Sequence, residues 1–177
     1  MANSYFNGSQ EVKREIERDV SFLLRVRDAF EGKFERFSFG TMVNLFRFGK
    51  RLDSGLFVAL RAFQPDGHFG RGGLAVQTWD MEVYCKNAEH LAEAGVGVPR
   101  FCVGAVYKGK AGLLLEDITA NGKYEVEHPP HQEDCVVIEG GKKRAVFIDI
   151  DASYRYFAGL ADQKYFAPDA VLNLEKL

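Results

Sequence analysis

Residues 135–153 read CVVIEGGKKRAVFIDIDAS. Two runs with strong strand preference, 135–138 and 145–150, flank the polar connection EGGKKR at 139–144, whose two glycines make positive φ inexpensive; the pattern predicts a β-hairpin. Its second strand ends in two carboxylates, Asp149 and Asp151. Strand alternation puts both on one face, roughly 6–7 Å apart. A bend between them would let both bind one hard cation such as Mg²⁺. Acidic residues at a strand end are also ordinary solvated surface, so the pair gains meaning only from its neighbours.

Outward from the hairpin, the preceding chain supplies a sheet. Residues 101–107 and 112–116 are apolar, strand-forming runs joined by Lys108-Gly109-Lys110-Ala111, and the polar, proline-bearing segment 119–134 leads from them into the hairpin. Before them, residues 75–94 read as a helix, with Trp79, Val83, Ala88 and Leu91 among its apolar positions and Gly95 placed to cap its end. Further back, KFERFSFG, TMVNLFRFG and GLFVALRAF, between residues 33 and 63, are aromatic and β-branched and predict a three-stranded antiparallel meander. Residues 9–31 repeat Val12, Ile16, Val20, Leu23, Leu24 and Phe30 at helical spacing against a charged opposite side, predicting one helix capped by Asn7 or Ser9 and ended by Gly32. The tail after Ser153 holds Tyr154, Tyr156, Phe157, Tyr165 and Phe166 and reads as short helical or irregular pieces covering the sheet. The expected class is α+β: a five-stranded antiparallel sheet with an inserted helix, an N-terminal helix and a C-terminal hairpin.

Composition narrows the function classes. A chain of 177 residues without a Ser/Pro/Gly-rich linker is expected to form a single domain over 1–177. With 46% hydrophobic and 27% charged residues it reads as globular, and its apolar runs are too short to span a bilayer. The N-terminus lacks the basic and apolar regions of a signal peptide, so a cytoplasmic location is expected. Cys85, Cys102 and Cys135 have no Cys-x-x-Cys spacing, which argues against a structural zinc site or a disulfide framework. The net charge of −2 with scattered Lys and Arg offers no basic stripe for nucleic acid.

The segment EVYCKNAEHLAEAGVGVPRFCVGAVYKGKAGLLLEDITANGKYEV, residues 82–126, resembles the nucleotide-binding lobe of kinase-like phosphotransferases, most nearly the aminoglycoside phosphotransferase and choline-kinase-like branch. The marks are GVGVPR at 95–100 and LLLED at 113–117. In the same order, SFGTMV at 38–43 stands where the family has its glycine-rich strand turn, with Gly40 in it. VALR at 58–61 stands at the lysine-bearing strand and FIDID at 147–151 at the metal-binding aspartate. The resemblance covers about residues 33–153 and implies binding of ATP and Mg²⁺ and phosphoryl transfer to a hydroxyl acceptor. Arg61 would replace the family's lysine and meet the nucleotide phosphates, held by Glu82 or Asp80. Glu116, Asp117 and Ile118 would present backbone groups to an adenine edge, and Asp149, with Asp151 beside it, would hold Mg²⁺. Each role has a plain counterpart: a surface arginine at a strand end, and strand-end carboxylates.

Two departures qualify that implication. Before the hairpin the chain reads EHPPHQED at 127–134, which puts Asp134 at the family's second metal-binding position and Pro129 near the expected base. His128, His131 or Glu133 are the substitutes at hand, or the segment is a stiff exposed turn. Few residues separate the Glu116-Asp117 strand from that segment, so most of a second lobe is missing. Either the acceptor is large and docks on an open surface, or a protein partner or second copy completes the cleft, or transfer is lost and the chain is a pseudokinase-like interaction module. Among other constellations, GHFGRGG at 67–73 precedes a helix and could hold an anion through backbone N–H groups and Arg71, though without Walker or dinucleotide spacing. His68, His90, His128 and His131 have no fixed metal-ligand spacing.

Overall fold

The N-terminal amphipathic stretch folds as two helices, not one. The computed structural model describes residues 4–35, 44–62, 74–118, 120, 124–127, 134–139, 141–147, 150 and 170–177. Helix α1 spans Ser4–Glu17 and α2 spans Val20–Phe30. Between them Asp19 leaves helical geometry (φ −104°, ψ 82°), and its Oδ1 accepts the Phe22 N–H at 3.0 Å. That cap replaces the expected one: Ser9 lies inside α1, where its Oγ donates to the Tyr5 carbonyl and accepts the Cys102 N–H. Gly32 ends α2 as expected, at φ +78°, with the N–H groups of Gly32 and Lys33 returned to the carbonyls of Ala29 and Asp28.

The sheet that follows is mixed, correcting the antiparallel expectation. Strand β1 (Asn44–Arg51) pairs antiparallel with β2 (Phe57–Ala62); β3 (Cys102–Tyr107) and β4 (Lys110–Glu116) form a hairpin; and β2 also pairs with β4. The fifth strand is β8, Leu172–Asn173, which lies parallel to β3 and gives the order β1-β2-β4-β3-β8. Residues 33–35, expected to begin the meander, are not strand; residues 36–43, including Gly40, lie outside the described residues. Helix α3, Leu74–Glu93, is inserted between β2 and β3. It closes in a Schellman arrangement at Gly95 (φ +83°), with Gly95 N–H on the Ala92 carbonyl and Val96 N–H on that of Leu91.

Alternation sorts the sheet into two faces. Val58, Leu60, Val103 and Leu114 pack with Phe22, Val26 and Phe30 of α2. On the other face Leu113, Leu115 and Cys102 pack with Met81, Tyr84, Cys85 and Ala88 of α3. Helix α1 reaches both layers, placing Ile16 in the first and Tyr5 in the second. The described end of the tail adds Leu172 and Leu174 to the α2 layer through β8 and a 3₁₀ turn at Leu174–Lys176, whereas Tyr154, Tyr156, Phe157, Tyr165 and Phe166, the residues of the expected covering role, lie outside the described residues. The opening hairpin exists as β6 (Asp134–Glu139) and β7 (Lys142–Phe147), but its turn is tighter than expected. Glu139 pairs with Lys142, and Gly141 takes φ +80°. A strand the sequence reading missed, β5 (Tyr124–Glu127), joins β6 to make a separate three-stranded sheet. No helix among the described residues is long and apolar enough to cross a membrane.

Candidate functional site

Arg61 sits near the end of β2, paired with Leu113 across the sheet, so its side chain shares the α3 face with Leu113. It is 9% exposed, and its guanidinium carbon lies 5.0 Å from the centroid of the Tyr84 ring on α3. The surface-arginine alternative is therefore excluded. Asp80, one helical turn before Tyr84 and buried, is on the same side of α3. Glu82 is two residues from each and only half-buried, so helical geometry turns it toward a different side. Of the two carboxylates that could accompany Arg61, Asp80 is the one that shares the Tyr84 face.

The Glu116–Ile118 edge is engaged by protein groups. Glu116 ends β4 and is buried; its Oε1 accepts the Arg100 N–H at 3.1 Å and its Oε2 accepts Arg144 Nη2 at 3.0 Å. Asp117 Oδ2 accepts Arg47 Nε at 2.9 Å, while the Asp117 N–H donates to the Phe57 carbonyl at 2.8 Å. The Asp117 N–H is thus used inside the fold. Ile118 follows in a turn and is half-buried.

Asp134 opens β6, opposite Phe147 of β7. Asp149, Asp151, His128, His131, Glu133 and the glycine-rich 67–73 segment with His68 lie outside the described residues. Ile150, bonded in sequence between the two aspartates, is 1% exposed and belongs to the buried cluster that contains Tyr84. Among the described residues, no group of three or more His, Cys, Asp or Glu is disposed to hold a metal ion.

Several site residues escaped the sequence reading. Arg144, expected in the hairpin turn, belongs to β7 and ties the second sheet to the end of β4 through Glu116. Arg47 does the same for Asp117 from β1. Asn87, further along the Asp80 side of α3, is fully buried with neither amide atom hydrogen-bonded. Gln77 clamps α3 onto the β3–β4 turn, donating to the Gly109 carbonyl at 3.0 Å and accepting the Ala111 N–H at 2.9 Å. Helical spacing alone could have grouped Gln77, Asp80, Tyr84 and Asn87; the arginine partners are distant in sequence and left no signal.

No family model matches the sequence, and no curated protein or solved structure matches it either.

Proposed function

We propose that this chain is a small kinase-like protein that binds ATP with Mg²⁺ at the α3 face of its five-stranded sheet. The observation that carries the reading is the position of Tyr84: its ring meets Arg61, and its cluster contains Ile150, the residue between Asp149 and Asp151. The strand, helix and hairpin order and the β2-β4-β3 pairing accord with it. In this reading Arg61 meets nucleotide phosphate, Asp80 rather than Glu82 sets the charge balance beside it, and Asp149 and Asp151, with Asp134, supply carboxylate oxygens for Mg²⁺. The bound metal neutralises charge on the phosphates. Transfer to a hydroxyl would draw its base from His128, His131 or Glu133. Calorimetric titration with ATP and Mg²⁺ tests the reading, with Arg61→Ala and Asp149→Ala as comparisons. Both variants should bind at least about tenfold more weakly, a difference of about 1.4 kcal/mol; absence of binding heat and of a thermal shift in the parent protein removes the proposal.

A second reading, a pseudokinase-like interaction module, is favoured by the engaged edge. Glu116 and Asp117 are committed to Arg144, Arg100 and Arg47, and the Asp117 N–H to Phe57. It predicts nucleotide indifference and stable association with a protein partner or a second copy. A monodisperse monomer in sedimentation that turns over ATP would eliminate it.

A further inference from the structure

The second half of α3 carries a polar side chain that the fold does not use. Asn87 is fully buried, and neither its Oδ1 nor its Nδ2 has a hydrogen-bond partner. An amide buried in that way bears the desolvation cost of both groups with no bond in return. Asp80, Tyr84 and Asn87 recur at i, i+4 and i+7, so all three share one side of the helix, with Asn87 about 10 Å along the axis from Asp80. That span is of the order that separates the phosphates of a nucleotide from the far edge of its base. Meanwhile, the backbone of Asp117, which the family resemblance assigns to an adenine edge, is spent inside the fold. Its N–H donates to the Phe57 carbonyl at 2.8 Å, and its carbonyl accepts the Ala120 N–H at 3.3 Å.

We propose that Asn87 selects adenine as the base of the bound nucleotide, with Oδ1 accepting from the 6-amino group and Nδ2 donating to N7. The inference rests on the nucleotide reading given above and adds to it the choice of base. Guanine presents two acceptors at the same edge, O6 and N7, so the amide can satisfy one arm with it while Oδ1 is set against O6. The packing around Asn87 closes the amide off, and the base enters by displacing that packing. Entry breaks no hydrogen bond of the amide, and a base that pairs both atoms relieves the cost of leaving them stranded.

Calorimetric titration of the full chain in Mg²⁺ with ATP, GTP and tripolyphosphate, a phosphate chain without a base, tests the assignment. The parent should bind ATP about tenfold more tightly than either of the others. Asn87→Leu, which keeps the bulk and removes both polar atoms, should bring ATP down to the GTP value and leave tripolyphosphate unchanged. It should also raise the urea midpoint of unfolding, because no stranded amide remains. Equal binding of all three compounds by the parent overturns the inference without any variant and leaves the phosphate and metal contacts of the reading in place. An ATP preference that survives in Asn87→Leu overturns it too, as does a lowered urea midpoint, the sign of an amide paired within the fold. No binding of any of the three compounds removes the reading and the inference together.

Discussion

The guanidinium of Arg61 stacks 5.0 Å above the ring of Tyr84, joining β2 to α3 across a face otherwise packed by Leu113, Leu115 and Met81. A desolvated cation over a ring face contributes about 2 kcal/mol. Tyr84→Phe keeps the ring, whereas Tyr84→Leu keeps apolar bulk and loses it. Urea denaturation should therefore find the leucine variant less stable than the phenylalanine variant by about 1–2 kcal/mol. With Arg61→Met in the background the gap should close. A gap that persists would mean that shape, not the cation, sets it.

Glu116 and Arg144 connect the two sheets through a 3.0 Å contact in which the Glu116 side chain is 4% exposed. Removing one partner of a buried pair strands the other charge and costs about 3–5 kcal/mol. Arg144→Ala, which strands the buried Glu116, should lie in that range and Glu116→Ala near its lower end, because the arginine it strands is partly solvated. A double-mutant cycle should return a coupling above about 1 kcal/mol. Additive effects would show that Arg100 N–H alone holds Glu116.

Gly112 is a glycine for steric reasons. A Cβ there would stand 2.9 Å from the Arg61 carbonyl oxygen, 3.0 Å from Leu60 Cδ1 and 3.1 Å from Phe30 Cζ. The carbonyl belongs to the β2–β4 ladder and cannot move without breaking it. Gly112→Ala should cost about 1–3 kcal/mol, as overpacking does, despite the general gain from removing a strand glycine. Pairing it with Phe30→Leu should recover only part, because the carbonyl contact remains. Full recovery would assign the whole cost to the ring.

These relationships explain which parts of the fold could be read from the chain. Gly95 and the Lys108-Gly109 turn announced their elements, because positive φ is a local demand met by few residues. Helix α3 and strands β1 to β4 followed from local periodicity for the same reason. Asp19 broke the N-terminal helix without a glycine or proline, by an Asx cap that becomes decisive once Lys50, far along the chain, pairs with its second oxygen at 2.7 Å. Strand β8 is two residues long and exists only because β3 offers an edge, so no period could reveal it. At the candidate site, Arg61 was legible as a residue type at a strand end, but its burial and its ring partner were not. The choice of Asp80 over Glu82 needed the direction of α3.

The acid limb of stability should carry the signature of Glu31. Its Oε2 pairs with Lys33 at 2.7 Å and its Oε1 accepts the Tyr107 hydroxyl at 2.5 Å, tying the end of α2 to β3. The Lys33 bond first, and the Tyr107 bond after it, hold the Glu31 carboxyl down to about 2 from an ordinary 4.5. The folded form thus binds this proton less readily than the unfolded chain. The stabilising contribution is fully present above pH 4.5 and is lost as the pH falls from there through about 2. Asp19, lowered chiefly by Lys50, acts in the same direction. Because Glu31 is a surface group, salt should weaken its share. Comparing urea midpoints of the parent and Glu31→Gln across that window should show a steeper acid loss in the parent, with the two curves converging at the lowest pH and at high salt. Parallel curves would mean that the Lys33 and Tyr107 contacts do not favour the charged form, and the acid limb would then belong to Asp19 and other carboxylates.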